Sequence, residues 1–254
     1  MMIHRFVSTL SLCCALLAPV CAFAQGSGDA DALHDDMGLL YRTHLPANGG
    51  RGAPVVFLLH GMGSNEQDLM SMAGALPDKY AVVSLRAPYE LEPGSYEWYQ
   101  GTVVDGIQDG DVAQLDASAQ SIEQFVTQMV RRNGFDWKHV YLVGFSQGAV
   151  MSYEVGLTYP RTFRGIGILS GDLYPSLKAR LQPSPPLGQL RVFISHGDAD
   201  QRIPPELAAD SVTTLRRLGM RPEFHLYPGM GHEIDSDALG DLVHWLKFDS
   251  PDSD

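Results

Sequence analysis

Between residues 39 and 247 the chain alternates short runs rich in Val, Ile, Leu and Phe with stretches of helical periodicity. The runs are 39–45, 54–60, 80–85, 139–145, 164–170, 191–196 and 223–228, and the helical stretches are 65–76, 112–133, 147–159, 204–219 and 234–247. Nearly continuous apolar runs suit strands covered on both faces. Their alternation with helices predicts an α/β domain built on a mostly parallel central sheet flanked by helices. No linker interrupts the pattern, so one domain spanning 37–248 is expected. Ser64 with Gln67 three residues on reads as a capping box for the first helical stretch. About twenty residues, including "PSPP", separate the runs at 164–170 and 191–196, which is too little for a large lid domain. The longest irregular connection is 86–111, and it carries Tyr89, Tyr96, Trp98 and Tyr99. Long loops in compact domains are often functional.

Residues 144–148 read GFSQG, placed between a strand run and a helical stretch. Such a serine stands out above the sheet edge, and Gly144 and Gly148 let strand and helix pass close together. A serine hydroxyl attacks only if a base removes its proton. His232 follows the last strand run in "YPGMGHEI" and is the best placed base. His225 lies within a strand, His244 within the last helix, and His60 and His196 read as loop supports at strand ends. The acid that orients the imidazole is expected in "HGDADQRIP", from Asp200 or Asp198. Spacing does not separate the two; Asp200 lies further toward the final loop, and Asp198 suits a bond to its own loop backbone. The tetrahedral oxyanion needs N–H donors. The backbone N–H of Gln147 is one, and the N–H of Met62, between Gly61 and Gly63, is the other.

The first residues differ from the rest. Arg5, an apolar stretch from Phe6 to Val20 and "AFA" before Gln25 have the form of a secretory signal peptide, with cleavage expected after Ala24. The apolar run is short for a membrane span, and Val20 is too large for a lipoprotein signal at Cys21. Periplasmic or secreted localisation follows, with no stable membrane insertion once the signal is removed. The three cysteines, Cys13, Cys14 and Cys21, all precede that cleavage point. The remaining chain therefore has no disulfide, cysteine nucleophile or cysteine metal site to offer. Lys and Arg total 18 against 30 Asp and Glu, a net charge of −12. No basic stripe is present, so nucleic acid and anionic membranes are unsuitable partners. Residues 25–36 and the acidic tail 249–254 are expected to be mobile.

The segments "LLHGMGSNEQDL", "RAPYELEPGSYEWYQ", "GFSQGA", "HGDADQRIP" and "GHEI" together resemble the carboxylesterase/phospholipase family of α/β-hydrolases, which includes acyl-protein thioesterase-like serine esterases. The resemblance runs from about residue 39 to 247. It implies Ser146 as nucleophile, His232 as base, Asp200 as acid, Met62 and Gln147 as oxyanion donors, and Trp98 beside the cleft. It also implies a compact enzyme with no cofactor and no metal. The signal peptide departs from the many cytoplasmic relatives and argues against protein-linked thioesters as the substrate. An open cleft walled by Trp98, Tyr99, Met62, Leu173 and Met230 is expected to take small-molecule esters of short to medium acyl length. The same residues would serve a lysophospholipase, a thioesterase or a polyester or phenolic esterase. A non-catalytic binding protein would be expected to have lost one of these groups. Nothing in the sequence sets the oligomeric state.

Overall fold

A computed structural model describes residues 32–104 and 106–247. The expected signal peptide and acidic tail lie outside the described residues. In chain order the elements are β1 (Tyr41–His44), β2 (Val55–Leu59), a 3-10 helix (Asp68–Ala75), β3 (Ala81–Leu85), β4 (Tyr89–Glu92), β5 (Ser95–Glu97), β6 (Gly101–Val104) and β7 (Ile107–Gly110). There follow α1 (Val112–Asn133), β8 (Val140–Phe145), α2 (Gln147–Thr158), β9 (Gly165–Leu169), α3 (Pro175–Lys178), α4 (Pro185–Gln189), β10 (Arg191–Gly197), α5 (Pro205–Arg217), β11 (Glu223–Tyr227) and α6 (Ser236–Lys247).

The seven apolar runs form one sheet in the order β1-β3-β2-β8-β9-β10-β11. Only β1 runs antiparallel to its neighbour; every other pairing is parallel. Strand alternation divides the side chains of β2 between two cores. Val55, Phe57 and Leu59 join Leu115, Ile122 and Phe125 of α1, together with α2 and Val212 and Leu215 of α5. Val56 and Leu58 join the 3-10 helix and Leu242, Trp245 and Leu246 of α6. Both faces of the sheet centre are thus covered, which is why β2, β3, β8, β9 and β10 are largely apolar, whereas the edge strands β1 (YRTH) and β11 (EFHLY) are part-exposed and mix polar with apolar residues.

Helix ends follow local chemistry. Asp111 caps α1 by accepting from the Gln114 N–H at 2.9 Å, and Gly134 closes it in the left-handed region at φ 67°. The expected capping box at Ser64 and Gln67 does not form. Asn65 Oδ1 instead accepts from the Gln67 N–H at 3.0 Å, and Ser64 pairs in a bridge with Tyr96. This leads into a 3-10 rather than an α-helix. The connection 86–111 is likewise not irregular: β4 pairs with β5 and β6 with β7 as two small antiparallel hairpins. The backbone of His34 pairs with that of Tyr41 at 2.9 and 3.0 Å, and Asp36 accepts from Tyr41 Oη and from Arg132. The stretch expected to be mobile up to residue 36 is therefore anchored to the domain at its end.

Candidate active site

Strands β2, β8, β10 and β11 are parallel, so the loops after them share one sheet edge. These loops carry Met62, Ser146, Asp200 and His232. Ser146 has φ 54° and ψ −118°, an uncommon conformation for a residue with a side chain. The strain is held by neighbours that must be glycine. A Cβ on Gly144 would stand 2.0 Å from Gly148 O, and one on Gly148 would stand 2.1 Å from Leu59 O. The serine N–H donates to Leu169 O at 2.9 Å, tying the turn to β9.

His232 Nε2 lies 2.8 Å from Ser146 Oγ, and its Nδ1 lies 2.8 Å from Asp200 Oδ2. Burial pushes the Asp200 carboxyl up, but hydrogen bonds from the Ile203 N–H, from His232 and from the Arg202 N–H outweigh it and leave its pKa lowered. An ionised Asp200 can only accept. It therefore fixes the proton on His232 Nδ1, leaving Nε2 to accept from the serine hydroxyl. Asp200 Oδ1 is occupied by the Arg202 and Ile203 N–H groups at 2.8 and 3.0 Å. The Phe145 ring packs against the imidazole at 5.1 Å between centroids. Asp198 does not reach His232. Nor does it bond its own loop: it is exposed and accepts from the Gly229 N–H at 2.6 Å, joining the loop after β10 to the loop after β11. His196 is a buried loop support, bonded through Nε2 to Ile203 O at 2.8 Å.

Gln147 is the first residue of α2, so its N–H has no acceptor within the helix. The Met62 loop packs on the serine turn: a Cβ on Gly61 would meet Ser146 Cβ and Phe145 at 3.4 Å. Gly63, at φ 83°, donates its N–H to Tyr96 O at 2.9 Å. His60, fully buried, holds the start of the same loop. Its Nδ1 bonds Gly61 O at 2.7 Å and its Nε2 accepts from the Ala87 N–H at 3.1 Å. Burial lowers its pKa, in keeping with a neutral ring. Beneath the loop, Glu66 is buried and receives Arg86 at 2.5 and 2.8 Å and Arg42 at 3.2 Å. Two anchored loops thus place the N–H-bearing residues Met62 and Gln147 beside Ser146. The arrangement can deprotonate a hydroxyl and receive a developing oxyanion.

Residues 46–249 match the phospholipase/carboxylesterase family. The chain belongs to this family.

Among similar proteins, acyl-protein thioesterase 1 of Mycosarcoma maydis is 26% identical over 224 residues, 80% of this chain and 93% of that protein. The probable carboxylesterase SOBER1-like of Arabidopsis thaliana is 32% identical over 114 residues. That match covers 45% of this chain and 44% of that protein, less than half the length of either. The crystal structure of esterase PE8 aligns with a TM-score of 0.68 at 26% identity, over 82% of this chain and 98% of that one. A Bacillus cereus carboxylesterase aligns at 0.71 over 84% and 95%, and at 20% identity that likeness concerns the fold. The chain has the α/β-hydrolase fold of this group.

The cleft of this family member encloses about 280 Å³ above Ser146. Met62 and Tyr99 line it as expected from sequence, with Tyr174, Val150, Gln108 and Ile203 beside them. The other expected walls are not there. Trp98 is fully buried under the Met62 loop, donating its indole N–H to His60 O at 2.9 Å. Leu173 and Met230 are also buried and do not line the cleft. Val150 falls one helical turn after Ser146, a spacing from which it was deducible. Tyr174 was not, because it enters through a bond between its hydroxyl and that of Tyr99, at 3.1 Å, across 75 residues of chain. Among the described residues no group of His, Cys, Asp and Glu is disposed to hold a metal ion, and no helix is long and apolar enough to cross a membrane.

Proposed function

We propose that this protein is an exported serine carboxylesterase, periplasmic or secreted, that hydrolyses small carboxylic esters of short to medium acyl length through an acyl-enzyme. The observation that carries this reading is the chain of two 2.8 Å contacts from Ser146 Oγ through His232 to Asp200. In the first half-reaction Ser146 Oγ attacks the ester carbonyl and its proton passes to His232 Nε2. Asp200 stabilises the resulting imidazolium, and the Met62 and Gln147 N–H groups receive the oxyanion. The imidazolium then protonates the departing alcohol. In the second half-reaction His232 takes a proton from water, which attacks the acyl-serine, and the same proton returns to Ser146 Oγ as the acid leaves.

The cleft limits the acyl length. Its volume of about 280 Å³ lies at the small end of ligand pockets, and the paired Tyr99 and Tyr174 rings wall it. Export rests on the basic start, apolar stretch and small residues before Gln25. The same residues would cleave a thioester, a reading favoured by the likeness to an acyl-protein thioesterase over 93% of that protein's length.

Hydrolysis of nitrophenyl esters of graded acyl length, by wild type and by Ser146→Ala, tests the proposal, with the matching thioesters as a second series. Turnover is expected from the wild type alone, highest for short acyl chains, with the esters outpacing the thioesters. Equal turnover by the two proteins would remove Ser146 from the reaction.

A further inference from the structure

A second hollow, of about 530 Å³, lies at the opposite edge of the sheet, beside the segments that lead into β8 and β9. It is larger than the cleft at Ser146 and within the range of small-ligand sites. Its floor is apolar and buried, formed by Val126, Val130, Phe135 and Val140. Its rim carries Arg131, Arg161 and Trp137. Trp137 is 65% exposed, whereas the other two tryptophans, Trp98 and Trp245, are buried. Trp137 and Arg161 also border an adjoining hollow lined by Lys138 and Arg164.

One acid, Glu123, lines the hollow beside Thr127 and Thr162, and Asp136 lies outside its lining. Glu123 accepts from the hydroxyls of Thr127 at 2.9 Å and Thr162 at 3.2 Å. Asp136 is held by His139 at 2.6 Å and by the Lys138 N–H at 3.0 Å. Among the described residues no salt bridge joins Arg131 or Arg161 to a carboxylate, in a chain whose net charge is −12. Surface arginines kept only for solvation need no apolar hollow, and an apolar partner needs no guanidinium rim.

We propose that this hollow binds aliphatic carboxylates. The carboxylate pairs with the Arg161 and Arg131 guanidinium groups, whose forked N–H donors match it. The alkyl chain lies along the Trp137 ring and over the Phe135 and Val126 floor. The site is separate from the cleft and does not depend on Ser146.

Because the other indoles are buried, acrylamide quenching of tryptophan fluorescence reports on Trp137. Titration with sodium octanoate is expected to protect that fluorescence saturably, and uncharged 1-octanol to bind at least about tenfold more weakly, the effect of one charged hydrogen bond. Arg161→Ala is expected to weaken octanoate about tenfold, leaving the 1-octanol response and nitrophenyl ester hydrolysis unchanged. If Arg161→Ala does not fold, Arg131→Ala at the same rim is read in its place. Equal protection by acid and alcohol, no protection by either, or octanoate binding indifferent to the arginine would overturn the proposal.

Discussion

Asp172 ends a short turn after β9 with its carboxyl buried and close to Tyr99, Tyr153 and Tyr174. Burial pushes its pKa up to about 6, against a smaller opposing pull from Lys178. A carboxyl whose folded pKa is raised contributes most below its unfolded pKa, and that contribution is lost as pH rises through the folded value. Asp172→Asn removes the buried charge without changing the side-chain size. It is expected to stabilise the protein by about 1–3 kcal/mol at pH 8 and by less at pH 4.5, read from urea unfolding at the two pH values. A gain independent of pH would show that ionisation of Asp172 is not the cause. At this scale the sequence was informative wherever chemistry demands a residue type at a strand end, as for Ser146 and His232. It misled at Trp98, because an aromatic side chain in a polar stretch gives no sign of which way its loop folds. Ser118 Oγ, arriving from α1 to bond Trp98 O at 2.6 Å, helps to set that direction.

The serine turn works as an element because α2 starts in contact with β2. With Leu59 O only 2.1 Å from the position of a Cβ on Gly148, Gly148→Ala must drive helix and strand apart. A loss at or above the usual overpacking range of about 1–3 kcal/mol is expected in chemical unfolding; an unchanged midpoint would contradict the packing described. The amide of Gln147 joins this element to the segment before β6. Its Oε1 accepts from the Trp98 N–H at 2.8 Å and its Nε2 donates to Tyr99 O at 2.7 Å. Gln147→Ala leaves both backbone groups buried without partners, at about 1–3 kcal/mol each, and frees the Tyr99 wall. Loss of stability together with a raised KM for the nitrophenyl esters is expected. A variant with unchanged stability and KM would mean that the bracket is not needed. The central sheet strands β2, β3, β8, β9 and β10 were legible because two covered faces favour apolar residues at nearly every position, and the edge strands β1 (YRTH) and β11 (EFHLY) were placed by their position in the strand–helix alternation. The four hairpin strands between 89 and 110 were not. They are short and carry glycine and charge in place of an apolar run, and contacts such as the Ser64–Tyr96 bridge, made far along the chain, set their position.

For the whole molecule, a doubly covered sheet supplies a core large enough to stand without disulfides, and no cysteine follows Cys21. The parallel strands bring four sequence-distant loops to one edge, so the order Ser, Asp, His along the chain becomes a connected site in space. That convergence was readable from strand–helix alternation, whereas the shape of the cleft was not, since it depends on which loop side chains fold inward. The most direct test of the proposed chemistry is a fluorophosphonate probe followed by peptide mass spectrometry. One adduct per chain is expected, on Ser146, with none on a His232→Ala variant over the same time. An intact protein that takes no label, or an adduct on another serine, would contradict the assignment of Ser146 as the activated nucleophile.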